Sequence, residues 1–407
     1  MAATDKKPKN WVVVRLGDFA VFQKGKKPKR VEKKYSTICS LPYVNIKAFE
    51  KGLVDEYTDG DGCVLCDDND FLMVWDGARA GYVGKAIKGA LGSTLIKIRF
   101  PGINQDYAYY FLQSKYLQIN TKAKGTGIPH VDPNLLWNYD FPIPPLPEQV
   151  QIVSKIDKLF SNLDKGIERL KAAQQQLKIY RQSVLKWAFE GRLTNSNLNK
   201  SGLPIGWKWQ KIGDVATSLD HLRKPINKKV RAKRFGNIPY YGANGQTGCI
   251  DDFLFDEPLI LVVEDETFTG RILPFSYKIS GKSWVNNHAH ILRPKENIDI
   301  NFINYQLWYY PFLPLTTGTT GRKKLTKNAL MNAPIKICSI EEQQSIVFEI
   351  ESRLSVCNKI EEGIIKDLQQ AEALRRSILK QAFEGKLLPN DLKDELSHSL
   401  SEQIRLN

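Results

Sequence analysis

The chain is short of cysteine, of histidine and of long apolar runs, and each shortage excludes something. Six cysteines in 407 residues do not make a disulfide framework. Cys63 and Cys66 are spaced like half a zinc site, but no second pair follows at a suitable distance, so they read as two reduced thiols. The longest purely apolar stretch near a candidate span, Leu259 to Val263, is far too short to cross a bilayer. The start, MAATDKKPKN, carries charge with no apolar segment after it, so no secretory leader is expected and the expected location is the cytoplasm.

Catalytic signatures are missing as well. There is no Walker A sequence, and the glycines between Gly77 and Gly84 do not spell a dinucleotide fingerprint. An adenine methyltransferase needs Asn or Asp before a Pro-Pro pair and an aromatic residue after it; the only such pair here, Pro144-Pro145, lies between Ile143 and Leu146. Glu264-Asp265-Glu266 lacks a well-placed lysine for a nuclease and reads as a strand cap. His288 and His290 would share one face of a strand, but no third metal ligand is evident, so packing or DNA contact is the preferred reading. No catalytic residue and no metal ligand is assigned.

What the chain does have, it has twice. Residues 181–193 read RQSVLKWAFEGRL and residues 375–387 read RRSILKQAFEGKL, a spacing of 194. Glu148-Gln149 returns as Glu342-Gln343, and Trp11 with Leu16-Gly17-Asp18 returns as Trp207 with Ile212-Gly213-Asp214 at a spacing of 196. A repeat nearly half the chain long predicts a pseudo-two-fold molecule, suited to a ligand that also has two halves.

Two kinds of segment alternate. From Ile152 the seam positions step by four and three through Ile156, Leu159, Leu163, Gly166, Leu170, Ala173, Leu177, Tyr180, Val184 and Trp187, a coiled-coil seam of roughly 54 Å as helix. The second copy keeps Ile346, Ile350, Ile360, Ile364, Leu374 and Ile378, with Arg353, Asp367 and Gln381 also falling on its seam. Two such helices separated by a globular block can pair antiparallel; packing of each helix on its own domain alone is the competing reading. The blocks between show short β-type runs (Trp11–Val14, Phe71–Trp75, Thr94–Ile98, Leu259–Val263, Ala289–Leu292), with an aromatic-rich helical stretch late in each (Tyr107–Leu117, Phe302–Tyr310). The fold class is therefore mixed α/β, with two globular domains and two long helices. The boundaries fall at 1–147, 148–193, 194–340, 341–388 and a tail at 389–407.

The net charge of +15 sits in the blocks. Residues 1–147 hold 21 Lys and Arg against 15 Asp and Glu, and residues 194–340 hold 20 against 11. That distribution points to a polyanion bound there, against the plainer alternative of a solvated basic surface. Three local clusters per block are candidates. The first is a strand followed by a glycine loop, with Arg79 and Tyr82 in one block and Arg271 in the other. The second is the Gly-Thr loop before each long helix: Lys122, Lys124, Thr126 and His130, then Thr319, Thr320, Arg322, Lys323 and Lys324. The third is a basic run near each start: Lys24, Lys26, Lys27, Lys29 and Arg30, then Arg223, Lys224, Lys228, Lys229, Arg231, Lys233 and Arg234, followed by Tyr240, Tyr241 and Asn244. A solvated turn or loop is the alternative for each.

A basic block, a long helix, a second basic block and a near-identical second helix resemble the specificity subunit of Type I restriction–modification systems. The proline run Pro142 to Pro147 before Glu148-Gln149 and the repeated AFEGRL and AFEGKL carry the resemblance most specifically. It implies two target recognition domains, each reading half of a bipartite site in double-stranded DNA. It also implies an antiparallel coiled coil that spaces them and docks two modification (methyltransferase) subunits, with restriction/translocase subunits in the full complex. This chain would use no cofactor; S-adenosylmethionine, ATP and Mg would belong to the partners. The run Ala333-Pro334-Ile335-Lys336 lacks the proline cluster, so a looser junction is expected before the second helix. The rival readings are a self-contained DNA-modifying enzyme, a coiled-coil scaffold with non-specific DNA binding, and a subunit of a modification-only system.

A rod with a reader at each end imposes a fixed gap between half-sites. Inserting whole heptads near Gln175 should lengthen the spacer of the recognised sequence and leave both half-sites unchanged, which remapping the target would read directly.

Overall fold

The computed structural model describes residues 8, 10–68, 70–125, 127–194, 197, 202–266, 268, 271, 273–318 and 323–389. The chain divides into two compact units, residues 1–170 with 366–407, and residues 171–365.

The internal repeat extends to the order of the strands. In the first unit one four-stranded sheet runs Val21–Lys24, Leu95–Arg99, Phe71–Val74, Val83–Lys85, and a second runs Tyr57–Thr58, Leu41–Val44, Gly89–Leu91, Leu65–Cys66. The second unit lays down the same two orders: Ala216–Ser218, Ala289–Pro294, Leu259–Val263, Ser276–Ile279, and Gly245–Ile250, Ile238–Gly242, Lys282–Val285, Phe255–Asp256. Each second sheet contains one parallel pair, Tyr43 beside Ala90 and Tyr240 beside Trp284. The central strands Phe71–Val74 and Leu259–Val263 are buried on both faces, which is why they read as continuous apolar runs rather than alternating ones. Both expected aromatic helices form, at Gln105–Thr121 and Ile300–Trp308, capped by Asn104 and Asp299 side chains on their first free N–H groups.

A two-stranded ladder closes each block. Val12–Arg15 pairs with Asp140–Ile143, and Lys208–Lys211 pairs with Pro334–Ile337. The chain then passes directly into the long helices Leu146–Phe189 and Ile340–Phe383. The looser second junction expected from its missing prolines is not found. Gln343 accepts from the Asp299 N–H at 2.9 Å and donates to the Cys338 carbonyl at 2.9 Å, as Gln149 does with Asn104 (2.8 Å) and Pro144 (2.8 Å). The preceding glutamates are as alike: Trp11 Nε1 donates to Glu148 at 3.0 Å, and Trp207 Nε1 donates to Glu342 at 2.9 Å.

Each block is sealed by the start of one long helix and the end of the other. In the first unit Ile152, Ile156 and Phe160 share a core with Ile378, Ala382 and Phe383; Phe383 packs edge-on to Tyr107 at 5.2 Å and Phe111 at 5.3 Å. In the second, Val184 and Ala188 share a core with Ile346 and Ile350, and Phe189 packs on Phe302 at 5.4 Å. The repeated AFEG sequence thus supplies an aromatic plug and then a turn. Gly191 (φ 78°) and Gly385 (φ 72°) adopt the left-handed conformation, and the next residue bonds back to Trp187 and Gln381 respectively, the geometry that ends a helix.

Within each unit the helix segments run antiparallel. Arg375 pairs with Asp164 and lies 4.3 Å from the Phe160 ring, further from the block than the contacts around Phe383. Arg181 bonds Glu361 at 2.8 Å and Asn358 at 2.7 Å, while Val184 lies in the core with Ile346 and Ile350. The first seam is as expected: Ile152, Ile156 and Val184 are buried, and Leu159, Leu163, Leu170 and Leu177 half-buried. On the second helix the expected register is partly wrong. Ile360 is 47% exposed and Leu374 51% exposed, and Asp367 and Gln381 also face outward. The inner face instead runs Cys357, Glu361, Ile364, Leu368, Ala371, Arg375, Ile378, stepping by four where three was expected, because Glu361 and Arg375 turn inward to their ion-pair partners.

Gln343 has no exposed surface, so Gln343→Ala would leave a buried N–H and a buried carbonyl unpaired. The expected loss is about 1–3 kcal/mol for each orphaned group, read by denaturant titration.

Candidate nucleic-acid interface

The three clusters singled out in the first block converge on one edge. The central strand Phe71–Val74 delivers Asp76, which accepts from Lys24 Nζ at 2.8 Å and bridges by backbone to His130. Lys124 and His130 exchange both backbone bonds, at 2.9 and 2.7 Å, and the Gly77 N–H donates to the Pro129 carbonyl at 2.7 Å. Glycine loop, Gly-Thr loop and the end of the basic strand therefore form one wall. Gly125 (φ 108°) is required there, since a Cβ would sit 2.5 Å from the Ile128 carbonyl oxygen.

Position on that wall does not mean availability. Arg79 is 3.1 Å from Glu50 and stacks 3.9 Å from the Tyr82 ring centroid, and Tyr82 is itself held between Phe49 and Tyr116. Both residues brace the glycine loop, and a base contact from Arg79 would first have to break that brace. Lys124 is spent on Asp132 at 2.9 Å and, through that bond, holds its carboxyl below the usual range. Lys26, Lys27 and Lys122 are exposed and make no ion pair among the described residues. Thr126 lies outside the described residues.

The second block builds the same edge around a buried charge network. Glu264, at the end of the central strand Leu259–Val263, ion-pairs with Arg223 and lies 3.1 Å from Lys324 Nζ. Lys324 comes from the Gly-Thr loop, whose strand Lys323–Leu325 pairs with Asp265–Glu266, so a lysine does reach this carboxylate, contrary to the reading from sequence. His290, almost wholly buried, donates from Nε2 to the Leu325 carbonyl at 2.8 Å and sets Nδ1 2.6 Å from Asp220. Burial pushes the Asp220 carboxyl up, but the bond and charge of His290, the Ile291 N–H and the Arg223 charge outweigh it and hold the group below its ordinary value. His288 is exposed and lies 2.7 Å from Asp265.

The remaining candidates divide the same way. Arg271 donates to the Pro274 carbonyl at 2.9 Å and lies 5.5 Å from the Phe275 ring. Arg231 covers the Tyr240 ring at 4.4 Å, and Tyr241 is half-buried against Tyr277. Lys228 and Asn244 are exposed, and Lys323 is half-buried. Thr319, Thr320 and Arg322 lie outside the described residues. Lys229 and Lys233 of the second basic run are exposed and make no ion pair among the described residues, and the same holds for Lys33 and Lys34, which the sequence did not single out. Cys66, the buried member of the cysteine pair, hydrogen-bonds the Ile87 carbonyl, and burial pushes its thiol up to about 11. It is a packed thiol.

Two matched α/β blocks, each with a basic edge and each sealed by paired helix ends, also account for what the chain matches. The model of the Type I restriction modification DNA specificity domain fits it twice, over residues 8–173 and 204–370. The chain belongs to that family. The specificity subunit of Type I restriction enzyme MjaVIII from Methanocaldococcus jannaschii is 26% identical across 95% of both chains. The EcoBI specificity subunit of Escherichia coli is 26% identical over 72% of this chain and 68% of its own. Among solved structures, a chain from a study of complex assembly and conformational transition of the type I R-M system superposes with a TM-score of 0.72 at 18% identity, covering 94% of this chain and 99% of that one. The HsdS subunit from Thermoanaerobacter tengcongensis gives 0.54 at 18% identity, over 94% and 99%. These likenesses in structure concern the fold. Family membership makes the two blocks DNA specificity domains, and among the described residues no helix is long and apolar enough to cross a membrane.

A carboxyl whose folded pKa is depressed contributes stability that is complete above its unfolded value and lost as pH falls through the folded one. Asp220, with an ordinary value of 3.8, should therefore make the second block acid-labile below that pH. Arg223 and His290 face it, and Glu264 lies 3.9 Å from the same His290 nitrogen. Asp220→Ala should cost about 1–3 kcal/mol at neutral pH for each of the two groups, His290 Nδ1 and the Ile291 N–H, that it leaves without a hydrogen bond in a dry site. It should also flatten the acid limb of a calorimetric melting series.

Proposed function

We propose that this chain is the non-catalytic reader of a Type I restriction–modification complex, each specificity domain recognising one half of a bipartite site in double-stranded DNA. The observation that carries the reading is that two basic blocks share both four-stranded sheet orders, while the edge of the second adds a small sheet of Asp265–Glu266, Lys323–Leu325 and Thr316–Thr317. One scaffold used twice with different edges suits two different half-sites. Base-edge contacts would choose the sequence, and the exposed lysines would set register on the phosphates.

In this reading the antiparallel helices set the spacer and dock two modification subunits. The outward apolar residues of the second helix support the docking role: Phe348 is 70% exposed and Val356 55%, in addition to the misassigned Ile360 and Leu374. Side chains of this size left in water each forgo about 1.5–3 kcal/mol of burial, which a partner helix would recover. Restriction/translocase subunits would join the full complex. S-adenosylmethionine, ATP and Mg would act in the partners, and the complex would work in the cytoplasm.

The test is a methylation map. The chain is co-expressed with its modification partner in a host lacking DNA methylation, and modified adenines are located by sequencing. A bipartite motif with a fixed gap is the expected outcome. A single continuous motif from an assembled, active complex would overturn the two-reader mechanism.

A further inference from the structure

Phe235 is 87% exposed, the most exposed large apolar side chain among the described residues. A ring left in water sacrifices the transfer gain that burial gives, so its position calls for a reason. It is not at the tip of a loose loop. Arg234, just before it, ion-pairs with Asp251 at 2.6 Å and lies over the Trp284 ring at 4.9 Å. Gly236, just after it, is pressed so closely against the strand Gly245–Ile250 that a Cβ would stand 2.2 Å from the Ile250 carbonyl oxygen. Trp284 in turn donates from Nε1 to the Lys224 carbonyl at 2.8 Å, tying down the start of the same segment. The backbone is thus gripped on both sides of a ring that touches almost nothing.

The surroundings say what the ring is for. Lys228, Lys229 and Lys233 stand on the same short segment, exposed and without an ion pair among the described residues, while Arg234 is neutralised by Asp251. An apolar wedge beside unpaired lysines fits a polyanion with an apolar interior, which is a base-paired duplex and not an acidic peptide. The pseudo-repeat offers the same device independently. Leu41-Pro42-Tyr43 and Ile238-Pro239-Tyr240 begin equivalent strands, and each follows two cations and an exposed aromatic: Lys33-Lys34-Tyr35, with Tyr35 66% exposed, and Lys233-Arg234-Phe235.

We propose that Phe235 is a wedge that enters a base step of the half-site read by the second domain, with the neighbouring lysines holding the flanking phosphates. The proposal rests on the DNA-reading role proposed above. A wedge of this kind partly unstacks the step and favours flexible pyrimidine–purine steps, so it would add sequence preference without a hydrogen bond to any base.

The experiment uses the assembled modification complex and duplexes carrying 2-aminopurine at successive positions of the second half-site. Beyond the adenine that the modification subunit flips out for methylation, wild type should raise 2-aminopurine fluorescence at one step only. Phe235→Ala should abolish that rise and weaken target binding about tenfold, the scale of losing one aromatic–base stack. It should leave the salt dependence and the melting temperature unchanged, since no phosphate contact and no buried group is lost. Phe235→Leu, which keeps an apolar wedge, should retain part of the signal. Silent fluorescence at every step other than the methylated adenine, despite sequence-specific binding, would overturn the wedge. So would a Phe235→Ala complex that binds the target as tightly as wild type, or one that fails to assemble while still binding DNA normally, which would make the ring a protein contact. A wild-type complex with no sequence preference would instead overturn the reading beneath the proposal.

Discussion

Trp11 donates its indole N–H to Glu148, and Trp207 does the same to Glu342; one residue further on, Gln149 and Gln343 each bond a helix-capping loop and the carbonyl that precedes the long helix. The apolar core beneath these bonds supplies most of the adhesion between block and helix, but burial of apolar surface has no preferred direction. The indole, carboxylate and amide do. Glu148, Gln149 and Gln343 are all nearly or wholly buried, so a rotation of the block about its helix would leave charged and polar groups without partners in a dry site. The angle between reader and helix is set by that penalty, and the spacer argument depends on the angle being set.

The charged residues at the basic edges divide by what the nearest carboxylate does. Asp76, Glu50 and Glu264 each take a cation from a distant part of the chain and Asp132 takes one from the adjoining loop, so Lys24, Arg79, Lys124, Arg223 and Lys324 serve as struts. The lysines at these edges that make no ion pair among the described residues (Lys26, Lys27, Lys122, Lys228, Lys229, Lys233) remain for a ligand. An edge built this way holds its loops rigid with one set of charges and attracts DNA with another. Neutralising a strut would deform the edge, whereas neutralising a free lysine would only weaken the attraction.

That division explains which parts were legible in the sequence. The repeat, both long helices, the β-type runs and the aromatic helices follow from local periodicity and from similar words recurring at spacings of 194 and 196. The second helix seam failed at Ile360 and Leu374 because a step of three and a step of four are equally good apolar patterns. Arg181 and Asp164 decide between them from another helix. The candidate cations could be located but not sorted, since Lys24 meets Asp76 across 52 residues and Lys324 meets Glu264 only through strand pairing. Sequence proximity carries no information about such pairs. The exposure of Phe235 has no signature in the sequence, because a lone aromatic among cations is as readily buried as left in water.

The two domains keep the same strand order and the same latches, yet the latching carboxylate is Asp76 in one and Glu264 in the other, and its cations are Lys24 against Arg223 and Lys324. The longer carboxylate with two cations draws in His290 and Asp220, making the second edge a buried network where the first has a half-exposed pair. A scaffold whose core and helix contacts tolerate so different a set of edge charges can change its edge without refolding. That separation of framework from edge is what two half-sites of unlike sequence, read by one chain, require.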